Sequence, residues 1–121
     1  MGIPTISFSN NRNEISTVLD CTVNFQVNEN FVEFEARATK SGEPYGRGIG
    51  NMIMQMKIQS PNYYPANTNY TFVVNSSNLT SGDGTYRISM YAKNVGGTWS
   101  DAVAFEWDGD NNNGWDKGTW V

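Results

Sequence analysis

With 121 residues, a net charge of −4 and a pI near 4.6, the chain has the size of one domain. Such a length buries about 60–70% of the unfolded surface without a metal or a disulfide. Histidine is absent and Cys21 is the only cysteine, which removes the usual general base, an internal disulfide and any thiolate zinc cluster.

Lys and Arg form no cluster of the kind nucleic acid requires, and no apolar run reaches the roughly 18 residues of a membrane span. The opening "MGIPTISFSNN" has neither a basic n-region nor an apolar core, so a signal peptide is not expected there. An enzyme would have to run on carboxylates alone, and a binding or structural role is the expectation.

In chain order, strand patterns dominate. After "PTISFS", the stretch "STVLDCTVNFQV" sets Leu19, Cys21, Val23, Phe25 and Val27 on one face and Asp20, Thr22, Asn24 and Gln26 on the other. "FVEFEARAT" alternates Val32, Phe34, Ala36 and Ala38 against Glu33, Glu35 and Arg37, with "NEN" as the hairpin turn before it. "NMIMQMKI" predicts a stripe of Met52, Met54, Met56 and Ile58, read as core. "NYTFVV", "TYRISMYAKN" and "TWSDAVAFEW" complete seven strands, separated by Gly/Pro/Asn breakers such as "KSGEPYGRG" and "SPNYYPANT". No segment has a helical period. The pattern predicts an all-β, seven-stranded, two-sheet Greek-key sandwich over 1–107, followed by an irregular Asn/Gly/Trp-rich arm or linker over 108–121.

The stretch "LTSGDGTYRISMYAKNVGGTWSDAVAFEW" resembles the last two strands of fibronectin type III and related immunoglobulin-like domains. Leu79, Gly84, Tyr86, Ile88, Met90, Ala92, Asn94, Gly97 and Ser100 carry the match. The resemblance implies that Tyr86 is a corner residue, its ring in the core and its hydroxyl bonded to backbone a few residues upstream. It also implies that Cys21, Phe34 and Ile88 take the three core positions held in immunoglobulin domains by cysteine, tryptophan and cysteine. Apolar packing then replaces the disulfide pin, which suits a reducing compartment.

The glycines of "GEPYGRGIGN" suggest a phosphate cradle, but a strand pattern follows instead of a helix N-terminus, so a flexible connection is the better reading. Asp108, Asp110 and Asn112 have alternate spacing suited to calcium, yet the glycine comes late at Gly114 and Thr119 stands where a bidentate acid belongs. A solvated segment outranks it, and no cofactor is expected. Glu33 and Glu35 share a strand face read as solvated. Trp99 and Trp107 are assigned to packing. The partner-contact candidates are Tyr63 and Tyr64, one of which could instead cap the sandwich end, together with Trp115, Trp120 and Val121 in the arm.

Immunoglobulin-like domains resembling this one occur in the virions of tailed bacteriophages, as capsid decorations, auxiliary capsid proteins and tail appendages. The resemblance therefore implies a non-enzymatic virion protein, made in the host cytoplasm, that attaches to neighbouring virion subunits or to itself. The alternative is a spacer or carbohydrate-binding module of a longer bacterial surface protein or phage tail adhesin, with a host-surface glycan as partner. Neither reading involves nucleic acid or a membrane.

Overall fold

The computed structural model describes residues 2–13, 20–74, 78, 81, 84–109 and 119–120, with the backbone alone at 11–13, 20, 84, 107–109 and 119–120. Seven long strands are present: β1 (Ile6–Asn13), β2 (Asp20–Val27), β3 (Phe31–Lys40), β4 (Asn51–Lys57), β5 (Tyr70–Val74), β6 (Gly84–Asn94) and β7 (Val103–Gly109). A two-residue β8 (Thr119–Trp120) follows. They form two antiparallel sheets, of order β1-β2-β5 and β4-β3-β6-β7-β8. Among the described residues there is no α-helix.

The inward halves of the alternating segments make one core between the sheets. Val23, Phe25 and Val27 of β2 and Val74 of β5 face Phe34 and Ala36 of β3 and Tyr86, Ile88 and Met90 of β6. At its centre Phe25 and Phe34 stack with centroids 3.9 Å apart and planes 5° from parallel. Cys21 lies buried in the same core, at the β2 position paired with Val74. The Tyr86 ring is buried, and its hydroxyl accepts a hydrogen bond from the Ser81 N–H at 2.9 Å.

Two bulges displace side chains from the strict alternation. Phe31 pairs with Asn94 and Glu33 with Lys93, so Val32 is an extra residue on β3. Phe31, rather than Val32, is then the fully buried side chain at this end, because a bulge lets two successive residues face one partner and re-aims both. The second slip sets Ala36 opposite Met54 and Arg37 opposite Met52. Ile53 is the surplus residue there. The side chains of β4 that pack on the core are accordingly Ile53, Met54 and Met56, not the expected run of alternate methionines.

The expected boundary after residue 107 falls inside β7, which runs to Gly109. Trp107 pairs with Trp120 and Asp108 with Thr119, so the end of the chain returns to the five-stranded sheet.

Candidate functional site

The outer face of the five-stranded sheet is covered rather than bare. Residues 41–50, between β3 and β4, cross it as a strap. Glu35 lies under the strap at 7% exposure, its Oε2 accepting from Arg37 Nε at 2.7 Å and from the Gly48 N–H at 3.0 Å. Arg37 also donates to the Gly50 carbonyl at 3.1 Å. This corrects the solvated face expected for Glu33 and Glu35: a buried carboxylate needs such partners, because an unpaired charge out of water is costly.

Two cations tie the strap down further. The Arg87 guanidinium sits 4.3 Å from the Tyr45 ring centroid and that of Arg47 sits 4.4 Å from Trp99. The strap is thus a pinned cover and not a loose connection. Beneath this face Ser89 Oγ and Tyr91 Oη are buried without a hydrogen-bond partner.

At one end of the sandwich three connections are knotted around Asn30. Its side-chain oxygen accepts from the Ala66 N–H at 2.8 Å and its carbonyl accepts from the Val95 N–H at 3.3 Å. Asn94, buried on β6, holds the next turn: its Oδ1 accepts from the Thr98 N–H at 2.9 Å, and its Nδ2 donates to Glu29 Oε1 at 3.3 Å. Ser100 Oγ accepts from the Ala92 N–H at 3.0 Å. Fixed turns at a sandwich end are a rigid platform for recognition.

Two adjoining depressions open here. The first, of about 640 Å³, lies on the outer face where the Val32 bulge, Ile58 and the 95–97 turn form the walls and Glu33, Lys57 and Lys93 the polar rim. Lys93 Nζ and Lys57 Nζ lie 3.4 and 3.8 Å from Glu33 Oε1. Lys93 Nζ is also 5.7 Å from the Trp99 ring, which Arg47 covers. Two lysines therefore share one carboxylate on this rim. The second depression, of about 590 Å³, is mostly apolar, lined by Pro61, Tyr63, Ala66 and Val95 with Glu29 at its edge. Ser60 and Val95 belong to both. Tyr63 and Val95 are 49% and 47% exposed.

The two tyrosines of "SPNYYPANT" separate in role. Tyr64 exchanges backbone hydrogen bonds with Phe31, at 2.7 and 3.0 Å, and packs its ring on that of Phe31 at 5.2 Å. It caps the core end, and Tyr63 is exposed. Partial burial pushes the Tyr70 phenol above its usual 10.0; its hydrogen bond with Thr68 opposes the shift and neighbouring Tyr64 adds to it.

Among the other candidates, Trp120 lies on β8 and Asp108 on β7, an extended position paired with both Thr85 and Thr119. Trp115, Val121, Asp110 and Asn112 lie outside the described residues. Among the described residues no three acidic or thiol side chains converge as a metal centre would require.

Val32, Lys57, Lys93 and Val95 were not singled out by sequence. Only the two successive apolar residues Phe31 and Val32 could have flagged the first, and the lysines meet only across strand pairs. No protein-family model, curated protein or solved structure matches this chain.

Proposed function

We propose that the chain is a non-enzymatic attachment protein, of the auxiliary or decoration type of bacteriophage virions, that docks on a neighbouring subunit with the loop end of an immunoglobulin-like sandwich. The observation that carries this reading is the pairing of a rigid turn cluster with an apolar depression between exposed Tyr63 and Val95. Aromatic side chains beside desolvated hollows are where binding energy concentrates in protein interfaces. The strand order β1-β2-β5 against β4-β3-β6-β7 and the Tyr86–Ser81 hydrogen bond support the fibronectin type III-like assignment. The virion setting rests on that resemblance and on the acidic, Asn- and Gly-rich composition.

The test is mass spectrometry of density-purified particles from the source, followed by rebinding of purified protein. The chain should occur in a fixed ratio to the main shell protein, and Tyr63→Ala should weaken rebinding at least tenfold while leaving the fold intact. Absence of its peptides from the particles would overturn the virion setting; undiminished rebinding of Tyr63→Ala would overturn the docking end.

A further inference from the structure

We infer that the outer face of the three-stranded sheet is a binding site for a neutral, hydroxyl-rich glycan, centred on Asn24, Asn69 and Thr71. This goes beyond the attachment reading and does not depend on it.

The two outer faces of the sandwich differ in chemistry. That of the five-stranded sheet carries the ion-paired Glu33, Glu35, Arg37, Lys57 and Lys93. On the other sheet the outward residues alternate with the buried Val23, Phe25 and Val27. Ser7 stands opposite Gln26, and Asn24 lies between Ser9 and Thr71. Thr22 and Val73 form the next row. Ser7, Ser9, Gln26, Thr71 and Val73 are exposed, so no strap lies over them. Among the described side chains of this face none is charged, and Asp20, of the same parity on β2, is four residues from Asn24.

Asn24 is oriented for a hydroxyl ligand. Its Oδ1 accepts from Thr71 Oγ1 at 2.8 Å and from Asn69 Nδ2 at 3.4 Å, which occupies both lone pairs. The Nδ2 of Asn24 is left as a donor, and Thr71 Oγ1, having given its proton to Asn24, is left as an acceptor. A fixed donor beside a fixed acceptor matches adjacent hydroxyls of a sugar, each of which accepts and donates. With Ser7, Ser9 and Gln26, both asparagines line an open depression of about 280 Å³. That is just under the roughly 300 Å³ at which sites for larger ligands begin. Outward side chains stand about 5 Å apart across strands and about 7 Å apart along them, the span of one sugar ring.

Other occupants fit less well. Nucleic acid and acidic glycans need cations, which the described side chains of this face do not supply. A protein interface would centre on aromatic or aliphatic anchors, and Val73 is the one large apolar side chain exposed among those described here. A second copy related by a two-fold axis through the depression would set hollow against hollow and leave a void.

The experiment is NMR titration of the full isotope-labelled chain with maltohexaose, cellohexaose and chitohexaose, with oligogalacturonate as the charged comparator. At least one neutral hexasaccharide should give saturable shifts at Ser9, Asn24, Gln26, Asn69 and Thr71, including the Asn24 side-chain amide. Asn24→Ala and Thr71→Val should each weaken binding at least fivefold, and high salt should leave it unchanged because no ion pair is involved. If Asn24→Ala does not fold, Thr71→Val, isosteric and at an exposed position, carries the test.

No saturable shift with any of the three at millimolar concentration would overturn the inference. So would equal or tighter binding of oligogalacturonate, or shifts confined to the Tyr63 end or to Trp99. Glycan failure with intact rebinding to particles removes this inference and leaves the proposed function standing. Glycan binding by a chain that joins no particle supports the inference and removes the virion setting.

Discussion

Phe25 of β2 and Phe34 of β3 stack face to face across the two sheets, with centroids 3.9 Å apart and both rings buried. Phe72 approaches both, at 5.9 and 6.1 Å, so the contact is the centre of an aromatic cluster that joins the layers. Truncating Phe34 to alanine removes the contact and leaves a cavity that flanking strands cannot close. The expected loss is about 3–5 kcal/mol, read as a shift of the urea midpoint at unchanged slope.

Gly50 is where the strap turns into β4, with φ at +94°. A Cβ there would stand 2.3 Å from Thr39 Cγ2 and 2.9 Å from the Ala38 carbonyl oxygen. Gly50→Ala combines a disfavoured backbone conformation with contact against main chain, and should cost about 1–3 kcal/mol. Denaturant unfolding checks it. Stability equal to wild type would show that the strap can lift from the sheet at no cost.

Two tyrosines of β6 should respond oppositely to loss of the hydroxyl. Tyr86→Phe removes the bond from the Ser81 N–H and should destabilise by about 1 kcal/mol. Tyr91→Phe removes a buried hydroxyl that has no partner, and should be neutral or stabilising. Thermal unfolding of the two variants side by side separates them; a loss at Tyr91 as large as at Tyr86 would contradict this account.

Tyr70 gives a pH dependence at the alkaline end. Partial burial raises its folded pKa above 10.0, against the opposing hydrogen bond with Thr68 and with a further contribution from Tyr64. Above pH 10 the unfolded chain therefore holds fewer protons than the folded one, and stability falls as pH rises through the folded pKa. Tyr70→Phe should flatten that fall. Urea midpoints of the two proteins at pH 9 and pH 11 provide the measurement.

Sequence alone determined the class of this protein. The period-two alternation through Cys21, Val23, Phe25 and Val27 could be satisfied only by strands with one buried face, and the seven expected strands appear as two antiparallel sheets. Where the alternation is locally interrupted, the pattern misled. Val32 and Ile53 are surplus residues in their ladders, and a bulge depends on the register between two strands, which neither strand specifies by itself.

The site was less legible for a related reason. Glu35 read as solvated because its own strand face is polar, yet the strap that buries it comes from residues 13 positions away at Gly48. Lys57 and Lys93 are 36 residues apart and meet only because β4 and β6 flank β3 at Glu33. Local periodicity reports which way a side chain faces along its own strand. Which groups become neighbours across strands, and which face a returning loop covers, was decided by tertiary packing.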